Sequence, residues 1–319
     1  MEWRGILDGR PLPILMGIVN VTPDSFSDGG SYPSVEAAVE HGLRLAQEGA
    51  AILDVGGEST RPPVYGAAAE VSAAEEIGRV VPVVEALAGR AGVPVSIDTR
   101  KAAVARAALA AGASIVNDVT ALRHDPGSGA AAADAGALVV LMHMRGTDPR
   151  TMQNDLSYSA PIEEIAVHLS DAAARAQAAG IPAGRIALDP GLGFGKSASH
   201  NLLLIARLRR FCELGFPIVV GASRKGFTAR YSGLPADAPP RLRLAGSLAA
   251  AAEAAARGAS VVRVHDVAAT RRFFETLRAG APGPEAAAKA GASPEAYAQM
   301  ETALREAAGP DSGADRIGR

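Results

Sequence analysis

One pattern restricts the fold of this chain more than any other. Eight short β-branched or apolar runs, residues 14–20, 51–55, 93–98, 114–117, 138–143, 186–189, 217–221 and 260–263, alternate with Ala/Leu/Glu/Arg segments at helical period, among them 34–47, 73–87, 102–110, 162–178 and 242–256. Strands separated by helices pair in parallel through right-handed crossovers. Eight such units at roughly 35-residue spacing predict a closed (β/α)8 TIM barrel of the α/β class, as a single domain, rather than an open sheet of fewer strands. Gly49, Gly92, Gly112, Gly136, Gly180 and Gly258 stand where helices should stop, as left-handed caps do. The Ala-rich stretches 129–135 and 249–256 read as further barrel helices. The barrel is expected to span 1–280. Beyond it the composition turns to Ala, Gly and Pro, with a helix start at Ser293-Pro294 and Tyr297, Met300 and Leu304 on one face. Residues 281–319 are therefore expected to be a helical or flexible extension, not a second domain.

Composition removes several classes of function. Of 319 residues, 48% are apolar and 21% charged, so the chain can build a globular core. The formal net charge of −2 offers no global basic field, which argues against nucleic acid or an anionic membrane as partner. No run approaches the ~18 apolar residues of a membrane span, and the N-terminus lacks a signal-peptide pattern. One cysteine, Cys212, excludes an intrachain disulfide and a multi-cysteine metal cluster, and fits a reducing compartment. The expectation is a soluble, cytoplasmic protein that grips any anion locally.

Polar residues gather at one place in each unit. Asn20, Asp54, Asp98, Asn117, His143, Asp189, Ser223 and Arg263 each stand at or just after the last apolar residue of a run. In a barrel those positions share one rim, where active sites are built. The first run leads into Val21-Thr22-Pro23-Asp24-Ser25-Phe26-Ser27-Asp28-Gly29-Gly30, a polar loop of the kind that closes over a substrate. Asn20 offers an oxygen to a hard cation such as Mg2+. The second unit carries Gly56-Gly57-Glu58-Ser59-Thr60-Arg61-Pro62, with Thr60 and Arg61 as adjacent donors. The sixth reads Asp189-Pro190-Gly191-Leu192-Gly193-Phe194-Gly195-Lys196, whose amides could line an anion, although the spacing is not that of a Walker phosphate loop. The seventh is Ser223-Arg224-Lys225-Gly226-Phe227, with two adjacent cations. In the eighth, Arg263-Val264-His265, alternation sends Arg263 and His265 to the same side as an anion clamp.

In order, and over most of the chain from about residue 15 to 272, these motifs resemble dihydropteroate synthase, the sulfonamide target of folate biosynthesis. The resemblance implies a transferase that joins 6-hydroxymethyl-7,8-dihydropterin diphosphate to p-aminobenzoate, releasing diphosphate and 7,8-dihydropteroate. It implies that Asp98, Asn117, Asp189 and Lys225 line the pterin pocket, with Met142 also among the substrate-binding residues, Asp189 accepting from the 2-amino and N3–H edge and Lys225 donating to the ring carbonyl. Asn20, Arg263 and His265 would hold diphosphate, with Mg2+ shared between Asn20 and phosphate oxygens. Thr60, Arg61, Pro62, Phe194 and Ser223 would border the p-aminobenzoate site. Asp98, Lys225, Arg263, His265 and Asp28 form the expected catalytic set. The first loop, with Phe26 and Asp28, would close with the second loop after diphosphate binds. Family members are usually homodimers built through barrel helices.

Two other readings compete. A pterin-binding methyl-carrier domain would keep the carboxylates but needs no diphosphate clamp, and a silent scaffold barrel would lose its rim polarity. Arg263, His265 and Ser223-Arg224-Lys225 favour the synthase. The chain departs from the family after Arg61-Pro62, where Pro63 and a longer connection through Glu70 replace a short glycine-led turn. That change falls on the amine site and sulfonamide contacts, not on the pterin core.

Overall fold

The computed structural model describes residues 1–11, 13–21, 35–59, 71–235 and 238–280. The chain divides into two compact units, Met1–Arg271 and Arg272–Arg319. In order, the elements are α1 (Trp3–Leu7), β1 (Ile14–Asn20), α2 (Val35–Gln47), β2 (Ile52–Gly56), α3 (Ala73–Arg90), β3 (Val95–Asp98), α4 (Ala102–Ala110), β4 (Ile115–Asp118), α5 (Ser128–Asp134), β5 (Leu138–Met142), α6 (Pro161–Ala178), β6 (Ile186–Asp189), α7 (Ala198–Ala206), α8 (Arg209–Cys212), β7 (Val219–Val220), α9 (Gly226–Tyr231), α10 (Leu244–Ala256), β8 (Val261–Val264) and α11 (Val267–Gly280).

All strand pairs are parallel, in the order β6-β5-β4-β3-β2-β1-β8-β7. The ring closes where Leu188 bridges Ile218, next to the bond from Leu188 N–H to Pro217 O at 2.9 Å. The expected (β/α)8 barrel is what the chain forms. The seventh run shrinks most, from the expected 217–221 to Val219–Val220. Pro217 has no N–H to donate, so that stretch joins the barrel through its carbonyl and a single bridge.

Strand alternation sorts the interior by height. Ile14 and Met16, Ile52, Ile115, Leu138 and Val140, Ala187, Val219 and Val261 fill the lower barrel with Trp3 and Ile6 of α1. Trp3 seals that end and satisfies its indole by donating to Val139 O at 3.3 Å and Arg185 O at 3.1 Å. One turn of pleat higher on the same strands, the inward positions become Asp54, Asp98, Asn117, Met142, Asp189 and Arg263. All six helix-stopping glycines named above carry positive φ. Ser72 caps α3 by accepting from Glu75 N–H at 3.2 Å, and Ser197 caps α7 by accepting from His200 N–H at 3.1 Å.

Candidate active site

The polar layer is organised by Arg263. Its Nε donates to Asp54 Oδ2 at 2.6 Å and its Nη2 to Asp98 Oδ2 at 2.7 Å. Asn117 Nδ2 donates to the same Asp54 oxygen at 3.0 Å. Asp54 does not stand at a strand tip, as its place before Val55 suggested. The strand β2 runs on to Gly56, which leaves Asp54 fully buried one step below the rim, with Oδ1 lacking a partner among the described residues. A buried carboxylate beneath a planar guanidinium fixes the plane of that group, and a second from Asp98 fixes its rotation. Burial pushes the Asp98 carboxyl up to about 7 against the pull of Arg263, with Asp54 adding repulsion. Burial also pulls Arg263 down, but Asp54 and Asp98 outweigh it and leave the guanidinium more basic than usual.

Across the mouth, Asp189 is buried at the end of β6, and its Oδ1 accepts from Gly191 N–H at 2.7 Å. Burial raises its pKa, opposed by Lys225 and the Gly191 bond. Lys225 donates to Leu192 O and lies 4.5 Å from the Phe194 ring centroid. Burial pulls the Lys225 ammonium down to about 8, with Asp189 working the other way. Met142, also buried, closes this side at the end of β5.

The glycine-rich segment is not the anion cradle its composition suggested. Gly191 N–H is taken by Asp189, Gly193 N–H by Asn201 Oδ1 at 2.6 Å, and Phe194 N–H by Gly191 O at 3.1 Å. Glycine is needed there for approach instead. A Cβ on Gly191 would lie 1.9 Å from His143 O, and one on Gly195 would lie 2.2 Å from Arg145 Cβ, both at positive φ.

The two adjacent cations of the seventh unit separate. Arg224 adopts φ 59°, pairs with Asp266 at 2.5 and 2.9 Å, and turns away to hold the next unit, while Lys225 faces the mouth. Ser223 Oγ lies 3.0 Å from His265 Nδ1 and accepts His265 N–H at 3.2 Å, which fixes the imidazole. Asn20, at the tip of β1, pairs with Gly56 through the backbone, and its side chain makes no hydrogen bond among the described residues. Thr60, Arg61, Pro62, Phe26 and Asp28 lie outside the described residues. So does the Pro63–Glu70 stretch. The root of the second loop is described: Glu58 accepts from Arg100 Nη2 at 3.2 Å and Lys101 Nζ at 2.9 Å, and Lys101 also reaches buried Glu76 at 2.6 Å.

A family model described as "Pterin binding enzyme" matches residues 16–265 of this chain. The dihydropteroate synthase of Escherichia coli strain K12 is 48% identical over 267 residues, covering 84% of this chain and 91% of that protein. The chain belongs to the dihydropteroate synthase family. A second relative, dihydropteroate synthase of Bacillus subtilis strain 168, is 41% identical over 266 residues, 83% of this chain and 88% of that one. Among solved structures, Xanthomonas albilineans dihydropteroate synthase with 4-aminobenzoic acid superposes with a TM-score of 0.78 at 48% identity, over 85% of this chain and 94% of that one. Yersinia pestis dihydropteroate synthase in a sulfonamide drug complex gives 0.77 at 44% identity, over 84% and 94%. The sequence resemblance is thereby borne out: the chain is a dihydropteroate-synthesising transferase of folate biosynthesis.

Two features of this dihydropteroate synthase mouth escape sequence reading. Asp54 was visible as a polar residue in β2 but not as the seat of Arg263 and Asn117. Lys196, at the end of the glycine segment, is buried, and nothing in its sequence context marks it so. For Mg2+, the described residues hold no group of three or more His, Cys, Asp or Glu side chains that could form a cage. An ion that keeps most of its waters and arrives on substrate phosphates needs only one or two protein oxygens, and the uncommitted amide of Asn20 fits that demand.

Proposed function

We propose that this transferase binds the pterin ring inside the polar layer and the diphosphate at its rim, then transfers the pterin methylene to p-aminobenzoate. Asp189 accepts the paired 2-amino and N3–H donors, Lys225 donates to the ring carbonyl, and Asn117 and Met142 complete the pocket. The observation that carries this reading is Asp189, a buried carboxylate with acceptor capacity left beyond its one bond to Gly191 N–H. An unmet buried carboxylate is costly, and a planar double donor answers it.

Diphosphate lies against Asn20 and His265, with Arg263 above its two carboxylates. Asn20 would hold a Mg2+ ion arriving with the substrate, and such an ion would supply charge neutralisation of the leaving group. The C–O bond to the methylene breaks with its electron pair going to diphosphate, and Asp98 faces the carbocation that remains. The arylamine, neutral at pH 7, attacks that carbon from the side bordered by Phe194, Ser223 and Lys225, with Thr60, Arg61 and Pro62 of the second loop, and the nitrogen then releases one proton to water. Sulfonamides occupy the same arylamine position.

The family's homodimer is supported by apolar side chains left exposed on neighbouring elements, Val167 of α6, Leu202 and Leu203 of α7, and Tyr231 of α9. A cytoplasmic setting is supported by the free thiol of Cys212.

A release assay tests the whole reading. Purified protein with Mg2+ and the pterin diphosphate, with and without p-aminobenzoate, is followed for dihydropteroate and diphosphate. Dihydropteroate should form only with both substrates, and one diphosphate should appear for each. Failure to form it, or formation that survives Asp189→Ala unchanged, overturns the pocket assignment.

A further inference from the structure

Lys196 is the buried cation near the mouth to which neither substrate assigns a role. It is 4% exposed, and lysine is almost never so buried without a pairing carboxylate. Its ammonium instead donates to Phe194 O at 2.9 Å and His143 O at 3.3 Å, and stands 2.8 Å from His143 Nδ1. All three contacts are to uncharged groups. Burial lowers both partners, Lys196 well below an ordinary lysine and His143 below an ordinary histidine, so the imidazole is neutral and keeps Nδ1 as an acceptor.

The seat of this lysine is rigid. His143 N–H donates to Asp189 O at 2.9 Å, and its ring packs edge-on to His168 with centroids 4.7 Å apart. The neighbouring carbonyls are held in the same manner: Gly193 O by Gln153 Nε2 and Gly195 O by Tyr158 OH, each at 2.9 Å, and Leu192 O by Lys225. Every carbonyl from Leu192 to Gly195 is thus clamped by a side chain. Phe194, in the middle, is the residue whose ring lies against the Lys225 ammonium.

We infer that Lys196, seated on His143, is a positioning residue for the amine site: it fixes the Phe194 carbonyl and so sets the Phe194 ring that p-aminobenzoate packs against. The inference rests on the reading of Phe194 as a wall of that site. Asp189 meets this seat only through the backbone bond from His143 N–H to its carbonyl, while its carboxylate is held by Gly191 N–H; a side-chain change at Lys196 leaves both bonds in place.

A plain structural pin would weaken both substrates together, whereas a positioning role splits them. Lys196→Met keeps the length and removes the donors. Its KM for p-aminobenzoate should rise tenfold or more while the KM for pterin diphosphate stays within twofold. Lys196→Gln, which keeps an amide donor for the Phe194 carbonyl, should show an intermediate rise, and it carries the test if the methionine variant does not fold. An unchanged p-aminobenzoate KM in the folded variant, or equal rises for both substrates, overturns the inference. Phe194→Ala separates the two levels of argument. If it raises the p-aminobenzoate KM and Lys196→Met does not, the positioning role alone fails; if it leaves that KM unchanged, the assignment of the amine wall fails and takes the inference with it.

Discussion

Asp54 is where the stability of the barrel mouth and its chemistry meet, so its removal is the most informative perturbation. The carboxylate is fully buried and accepts from Arg263 Nε at 2.6 Å and Asn117 Nδ2 at 3.0 Å, both on Oδ2. Deleting one partner of a buried ion pair costs roughly 3–5 kcal/mol, because the other charge is left uncompensated. Arg263 keeps Asp98 at 2.7 Å, which places Asp54→Ala near ~3 kcal/mol, the lower end of that range. For a barrel of this size each kcal/mol moves the melting temperature by about 2–4 °C, so a fall of roughly 6–12 °C is expected. Asp54→Asn is a graded control. Its amide oxygen can take the place of Oδ2, with the NH2 group at the unpartnered Oδ1 position, so both hydrogen bonds survive and only the charge is lost. Charge-assisted bonds are about twice as strong as neutral ones, which puts this variant ~1–1.5 kcal/mol below wild type. Urea denaturation, with the slope checked for constancy, measures the series, and kcat/KM well below the melting temperature measures the effect on Arg263. If alanine proves no less stable than asparagine, or if both lie within ~0.5 kcal/mol of wild type as a surface change would, the account of Asp54 as the seat of Arg263 is refuted.

Three further outcomes follow from the same geometry. Asp189→Ala leaves the pterin's double donor unmet and should cost ~1–3 kcal/mol of pterin affinity, a factor of about 5 to 150 by calorimetry; an unaltered Kd would remove Asp189 from the pocket. His265→Ala should weaken diphosphate more than free pterin, since the ring is fixed at the rim by Ser223 and not in the polar layer; equal losses count against the clamp. The pH profile of kcat/KM for the pterin substrate should have two limbs. Below about 7 Asp98 gains a proton and loses its hold on the cation, and above about 8 Lys225 loses one and its charge. Asp98→Asn should abolish the acid limb alone. Because the folded pKa of Asp98 lies above its ordinary 3.8, the native state binds that proton more tightly than the unfolded chain. This group therefore costs stability as pH rises from about 4 to 7, and Asp98→Asn should gain on wild type across that window.

The amino-acid sequence discloses the barrel more fully than it discloses the mouth. Strand β1 and strand β6 are found where periodicity puts them, and α4 matches to the residue. Helix α1 has no such signal, because five residues cannot display a helical period, yet its Trp3 closes the barrel floor. Helices α7, α8 and α9 are likewise short pieces set by tertiary packing, with turn-rich sequence around them. At the mouth, residue types were legible and depth was not. Asp54 reads as a tip because it stands near the end of the apolar run 51–55, and only the register with β1, where Ile18 faces Asp54, places it inside. The glycine segment looked like an anion cradle because amides are the part of a glycine loop that composition advertises. Which carbonyls a lysine or tyrosine elsewhere in the chain will clamp is a long-range fact, set by Tyr158 and Gln153 more than thirty-five residues away.

The arrangement of charge gives the proposed reaction its direction. Asp54, Asp98 and Asp189 share the barrel mouth with Arg263 and Lys225, so an uncharged heterocycle can enter without upsetting the balance; it exchanges water for fixed donors and acceptors. A diphosphate cannot follow it inward. Each carboxylate at ~4 Å would oppose a phosphate charge by about 4 kcal/mol at an effective dielectric of 20. In the proposed arrangement the anion stays at the rim with Asn20, Arg263 and His265, while the ring sits below among carboxylates. The bond joining them crosses the boundary between the two environments. In the proposed reaction the electron pair moves outward with the diphosphate at the rim, and the positive carbon is left facing Asp98. The sorting of polar residues by height on the strands, which begins as a period-two pattern in the chain, thus favours heterolysis in one sense and opposes it in the other. Adding a negative charge at the rim without touching the interior, as in Asn20→Asp, should leave pterin affinity within about twofold while lowering turnover by tenfold or more. Equal losses in both would mean that ring and diphosphate are not separated in this way.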